Sequence, residues 1–125
     1  MTARGSFALG GVMGALGVAL GAFGAHGLRS TLSPADLATF ETAVRYQLAH
    51  ALALIGIAAW ADRHPSTKLA WAGRLFGLGV LIFSGSLYLL VLLDQRWLGA
   101  VTPFGGAAMI AGWLLVVAAA LDTPR

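Results

Sequence analysis

Cysteine is absent from the sequence, and charge is scarce: only 10% of the residues are Asp, Glu, Lys or Arg. The missing cysteines exclude disulfides and thiolate metal sites. The missing charge excludes an ordinary soluble domain, which carries about 25% charged residues. Proline is also rare, at 4 residues against 17 glycines, so the chain lacks the interruptions of a disordered linker and has instead the small residues of closely packed helices. Eight basic residues raise the pI to about 10.2, yet they are scattered singly and form no patch or stripe, so nucleic acid is not an expected partner.

What remains is apolar, with 58% hydrophobic residues and a mean hydropathy of +0.82. Uncharged runs cover residues 5–28, 46–61, 75–93 and 97–121, together about two thirds of the chain. A bilayer core about 30 Å thick takes roughly 20 residues of helix at 1.5 Å each, so each run can cross it, the second with help from its flank. The sequence predicts an all-α integral membrane four-helix bundle in one domain, with spans near 6–27, 42–61, 69–93 and 100–121. The lipid bilayer is its first partner, and too little chain lies outside the spans for a soluble catalytic domain. Trp60, Trp71 and Trp97 fall at predicted span ends, where amphipathic rings sit among headgroups.

Placing the N-terminus, the loop between the second and third spans, and the C-terminus on one side collects Arg4, Arg63, Lys68, Arg74 and Arg125 there, against Arg29, Arg45 and Arg96 opposite. By the positive-inside rule both termini are expected in the cytoplasm. The N-terminal run, ending in Gly21-Ala22-Phe23-Gly24-Ala25, also looks like a signal peptide with an Ala-x-Ala-like exit. Its 24 uncharged residues exceed the usual apolar signal core of about 7–15, so a retained first helix is expected.

Two local patterns position helices. Gly10, Gly14, Gly17, Gly21 and Gly24 recur at alternating spacings of four and three, a heptad seam without side chains that lets another backbone approach closely. The spacing leaves open whether that backbone is the second helix or another subunit. Ser33-Pro34-Ala35-Asp36 is a helix start: a capping hydroxyl, a proline at the first helical position and an acid at the positive end of the dipole. No Gly or Pro interrupts 35–55, so an interfacial helical segment is expected to run into the second span.

Polar residues inside apolar spans need a partner or a purpose. Thr39, Tyr46, Gln47 and His50 share one arc of the second helix, while Ser84 and Tyr88 lie one turn apart on the third, beside Ser86. Counting inward from the span ends puts His50 and Ser84 at similar depth, with His26 ending the first helix and Thr102 opening the fourth on that side. The expected constellation is therefore a polar cluster of His26, Tyr46, Gln47, His50, Ser84, Ser86, Tyr88 and Thr102. His64 reads as a solvated loop residue.

The blocks Gly21-Ala22-Phe23-Gly24-Ala25-His26-Gly27-Leu28, Tyr46-Gln47 with His50-Ala51, Phe83-Ser84-Gly85-Ser86-Leu87-Tyr88, Thr102-Pro103-Phe104-Gly105-Gly106 and Gly112-Trp113 resemble the signature of the domain-of-unknown-function 423 family, which includes transmembrane protein 256-like proteins. The resemblance implies a four-helix protein of bacterial inner membranes and some eukaryotic membranes, and carries over no biochemical activity.

The chemistry can be weighed class by class. No metal site is expected, since two histidines fall short of the three or four ligands such sites use. No cofactor is expected either, haem being the one left open, because two axial imidazoles suffice. Enzymatic activity is not expected: a serine protease dyad of His50 with Ser84 or Ser86 lacks an orienting carboxylate in the spans, and Ile82 stands where a Gly-x-Ser-Gly motif begins. The favoured reading is a structural or accessory membrane protein that binds lipid or a partner, as a homo-oligomer or with another membrane protein. The alternative is a small transporter, or a proton- or haem-binding subunit, built on His50. The seam makes a prediction of its own: Gly17→Leu lowers stability or assembly in thermal and cross-linking assays more than Val18→Leu does, and equal effects would remove the seam as an interface.

Overall fold

A computed structural model describes residues 1–122 and Pro124. Four helices account for almost all of them, and no strand occurs among the described residues: α1, Ala3–His26; α2, Pro34–Arg63; α3, Thr67–Leu92; and α4, Thr102–Asp122, preceded by a 3₁₀ turn over Arg96–Ala100. All four are long and apolar enough to cross a membrane, with the 3₁₀ turn counted as part of the last.

Each of the first three helices starts on a hydroxyl cap that accepts an otherwise unpaired amide. Thr2 accepts from the Gly5 amide, Ser33 from Asp36, and Ser66 from Leu69. Pro34 follows the Ser33 cap as the sequence suggests, and α2 continues unbroken through the interfacial segment into its span. The Ser66 cap lies in the short connector between α2 and α3. Asp94 turns the chain after α3 with a φ of 52°, a left-handed conformation that Asp tolerates better than most residues.

The helices form two tight pairs, α1 with α2 and α3 with α4, joined where α2 meets α3. The most apolar stretches of α2 and α3 are 44% and 39% buried, against 22% for both α1 and α4, so the second and third helices are the inner ones. Their shared core is filled by Leu54, Phe76, Ala72 and Val80, with Met13 from α1 and Met109 from α4 closing it on either side. A second cluster, Leu28, Phe40 and Val44, packs at the end of the molecule away from the termini.

The glycine seam of α1 faces α2. A Cβ on Gly10 would lie 2.8 Å from the Ala51 carbonyl oxygen, on Gly17 2.6 Å from Leu48, on Gly21 3.3 Å from Val44 and on Gly24 2.8 Å from Phe40. Gly14 is looser, 4.0 Å from the Ala51 Cβ. An equivalent seam binds α3 to α4. A Cβ on Gly105 would reach within 2.4 Å of the Phe83 amide nitrogen, on Gly79 within 2.6 Å of Met109, and on Gly112 within 2.7 Å of Phe76. In lipid there is no hydrophobic gain from bringing helices together, so this proximity supplies the dispersion contacts that hold each pair.

Ion pairs fasten the ends. Lys68 at the start of α3 binds Asp122 at the end of α4. At the opposite end Arg96 makes bidentate bonds of 2.8 and 2.9 Å to Asp36 and a further bond to Asp94. The guanidinium of Arg96, through these bonds to the carboxylate, holds the Asp36 carboxyl below its ordinary value. Arg125, counted above among the basic residues of one side, lies outside the described residues.

Neighbouring glycines give opposite expectations. Gly105→Ala puts a methyl against the backbone of α3 and lowers stability by about 1–3 kcal/mol, the range for overpacking a core. Gly106→Ala, whose Cβ would meet Phe83 at an ordinary 3.9 Å, is neutral or stabilising by up to about 1 kcal/mol through helix propensity. Thermal or denaturant unfolding in detergent checks both, and equal effects would contradict the α3–α4 geometry.

Candidate functional site

Gln47 sits at the centre of the polar constellation, 5% exposed, on the side of α2 that meets both α1 and α3. Its Nε2 donates to the Met13 carbonyl of α1 at 2.9 Å, and its Oε1 accepts from the Tyr88 hydroxyl of α3 at 2.7 Å. The Met13 oxygen has a lone pair beyond the one its own helix uses. Gly17, one turn on, keeps α1 close enough for this bond: a Cβ there would lie 2.6 Å from Leu48 and push the helices apart, while its 3.5 Å from the Gln47 Nε2 is ordinary contact. The glycine seam thus makes the polar contact possible.

Ser84, 1% exposed, donates to the Ala43 carbonyl of α2 at 2.7 Å. Ser86 and Thr102 share a hydroxyl bond of 2.6 Å between α3 and α4, with the Phe83 and Leu98 carbonyls as further acceptors. His50 bridges α2 and α4. Its Nε2 lies 3.0 Å from the Trp113 indole N–H, and its Nδ1 lies 2.7 Å from the Tyr46 carbonyl. An indole can only donate, so Nε2 is the acceptor and Nδ1 carries the proton that goes to Tyr46. The ring is wedged edge-on against Phe76 and Trp113, with centroids 5.2 and 5.7 Å away. Both nitrogens are occupied, so neither is open to a metal or haem iron.

The constellation expected from the sequence is brought together in part. Gln47 and Tyr88 bond directly, while Ser84, His50 and the Ser86–Thr102 pair each bond elsewhere within the same bundle. His26 does not join them: it stands exposed at the end of α1, because the helix carries it past the bundle into the connector. Tyr46 contributes its backbone carbonyl; the residue is 44% exposed, and its ring stacks on His50 at 6.3 Å and packs 4.6 Å from Phe83. Ser84 is not level with His50. It lies opposite Ala43, about two turns of α2 before His50, on the stretch where Tyr88 meets Phe40 at 5.1 Å. A His50–Ser84 dyad therefore does not form. Trp113 is the partner that sequence reasoning missed; its signal was a lone indole donor in an otherwise apolar span. His64, expected in solvent, stacks on Trp60 at 4.4 Å, and its Nδ1 is shielded without a partner among the described residues. Those residues contain no group of three His, Cys, Asp or Glu side chains able to hold a metal.

Comparison with known proteins sets this geometry in a family. The model described as "Protein of unknown function (DUF423)" matches residues 20–106, a stretch that includes Gln47, His50, Ser84, Tyr88 and Thr102. A UPF0382 membrane protein of Staphylococcus haemolyticus is 48% identical over 109 residues, covering 87% of this chain and 88% of its own. The UPF0382 inner membrane protein YgdD of Escherichia coli is 38% identical over 125 residues, covering 100% and 95%. A third relative, from Staphylococcus epidermidis, is 44% identical over 113 residues, 90% and 92% of the two chains. No solved structure matches. With its whole length aligned to relatives named as membrane proteins and four helices able to span a bilayer, this chain is a membrane protein that belongs to the DUF423 family.

Proposed function

We propose that the protein is a small structural or accessory component of the bacterial inner membrane, a rigid helical body whose polar cluster locks its own bundle and whose outer faces meet lipid or a partner. One observation carries this reading. Every buried polar side chain of the cluster has its partner on another helix: Gln47 on α1 and α3, Ser84 on α2, Ser86 on α4, His50 on α4. A transport path or cofactor site keeps a group in reserve for its cargo, and none of these is held back. In a bilayer such inter-helix bonds contribute about 0.6 kcal/mol each, up to about 1.7, so the set favours one arrangement of the helices over its alternatives.

The same reading places both termini in the cytoplasm. Arg4, Arg63, Lys68 and Arg74 lie at the end that carries the N-terminus, against Arg29, Arg45 and Arg96 at the far end, a modest excess in the direction of the positive-inside rule.

Two experiments test these statements. A double-mutant cycle of His50→Leu and Trp113→Phe, followed by unfolding in detergent, is expected to give a coupling of about 0.6–1.7 kcal/mol. In parallel, proteoliposomes carrying a pH-sensitive dye are expected to leak protons no faster than empty vesicles. Zero coupling, or a proton flux that His50→Leu abolishes, would overturn the locking role. For topology, the absence of native cysteine makes S30C and P65C clean reporters. A membrane-impermeant maleimide should label S30C in cells with an opened outer membrane and P65C only after lysis; the reverse pattern would invert the orientation.

A further inference from the structure

Three glycines, Gly11, Gly56 and Gly85, do nothing for helix packing, and the first two open on one flank. A Cβ built on Gly11 or Gly56 meets no atom within 4 Å, in contrast to their neighbours Gly10 and Gly17, which touch α2. Both line a groove that runs along the outer face of the α1–α2 pair. At the end bearing the termini the groove has a volume of about 780 Å³, with Phe7, Gly56, Ala59 and Trp60 as its walls and floor and Arg4, Asp62 and Arg63 at its rim. It continues through Ile55 into a second section of about 340 Å³ lined by Gly11, Gly14, Val18 and Leu52. From Arg4 to Val18 the course is about 21 Å at 1.5 Å per residue, enough for one leaflet's depth of roughly 15 Å with a headgroup above it.

Chemistry changes along this length as a phospholipid does. The deep section is apolar; Trp60 is 47% exposed and stands where an indole meets the headgroup region; the rim carries two guanidinium groups. Neither Arg4 nor Arg63 forms an ion pair among the described residues, unlike Arg96 and Lys68. Asp62 shares the rim and leaves it with one net positive charge. The other apolar groove of this flank, between α2 and α4, shares Gly56 and Trp60 with the first, is otherwise lined by Ala53, Trp113 and Val116 among others, and has no charged residue.

We propose that the α1–α2 groove is a binding site for an anionic glycerophospholipid: one acyl chain lies over Gly11 and Gly56, Arg4 and Arg63 bind the phosphate, and Asp62 accepts from headgroup hydroxyls. A second copy of the chain fits the groove poorly. Two copies inserted in the same orientation would bring Arg4 and Arg63 of one rim against those of the other, a like-charge contact in a weakly screened setting. The site is separate from the locking cluster, so it stands or falls independently of that role.

Native mass spectrometry of the full-length, delipidated protein in detergent, offered equal amounts of dioleoyl phosphatidylglycerol and dioleoyl phosphatidylcholine, tests the assignment. The phosphatidylglycerol adduct is expected to exceed the phosphatidylcholine adduct by about tenfold. Replacing both rim arginines, R4Q with R63Q, should bring the ratio close to one, while R29Q at the far end leaves it unchanged. Gly56→Leu should fill the floor and reduce retention of both lipids. Leu favours helix over Gly and meets open space here, so this variant is expected to unfold no earlier than the parent in a thermal scan. Equal retention of the two lipids, a ratio insensitive to R4Q with R63Q, or full retention by a folded Gly56→Leu variant would each overturn the proposal. A dimer mass that Gly56→Leu abolishes would overturn it in favour of a second copy.

Discussion

Close approach of helix backbones is the condition on which the rest of this bundle depends. In a soluble protein apolar side chains drive helices together by leaving water, but in a bilayer they gain nothing by exchanging lipid for protein. Attraction has to come from short-range dispersion and from polar bonds, and both require that side chains be absent from the contact line. Gly10, Gly17 and Gly24 clear that line for α1 against α2, as Gly79, Gly105 and Gly112 do for α3 against α4. The polar bonds follow from it. Gln47 reaches the Met13 carbonyl because Gly17, with no Cβ to strike Leu48, lets α1 and α2 lie close, and Ser84 reaches the Ala43 carbonyl across the α2–α3 contact.

The bonds so formed are spread over the interfaces and not gathered into one pocket. α1 is tied to α2 through Gln47, α2 to α3 through Gln47–Tyr88 and Ser84, α3 to α4 through Ser86–Thr102, and α2 to α4 through His50–Trp113. A bundle held by apolar contacts alone could slide or rotate among similar packings. Directional bonds at each contact penalise such shifts by leaving a buried donor or acceptor without a partner in a medium that offers no replacement. The inward-facing histidine fits this pattern: its two nitrogens are both committed, one as donor and one as acceptor.

Much of this was legible in the chain. The four spans follow from where charge is absent, the α2 start from Ser33-Pro34, and the α1 seam from five glycines at heptad spacing on a single helix. The α3–α4 seam was not legible, because its glycines are divided between two helices and interlock with large residues, Met109 and Phe76, which no one-dimensional spacing pairs. Backbone acceptors were also invisible: Gln47, Ser84 and His50 each bond a main-chain oxygen, and side-chain identity says nothing about which carbonyl will be near. Depth was legible only in part: counting inward from Thr42 and Leu93 takes those two ends as level, whereas Ser84 bonds Ala43, about two turns before His50, and Tyr88 packs on the fully buried Phe40 that precedes Thr42.

Glycine therefore has two roles in this chain, and the sequence alone does not separate them. Gly10 and Gly11 are adjacent, yet a methyl on the first would strike the Ala51 carbonyl and a methyl on the second would meet nothing. Helix geometry explains the contrast, since successive residues point about 100° apart and a seam one residue wide leaves its neighbour facing outward. The outward glycines lower helix propensity by about 1 kcal/mol each relative to alanine and return no contact within the chain. Gly11 and Gly56 both sit on the outer flank of the α1–α2 pair, where Asp62 is the one acid beside Arg4 and Arg63 and neither arginine forms an ion pair among the described residues. The flank thus presents an unfilled floor below a cationic rim, and a lipid with a chain below and a phosphate above satisfies both at once.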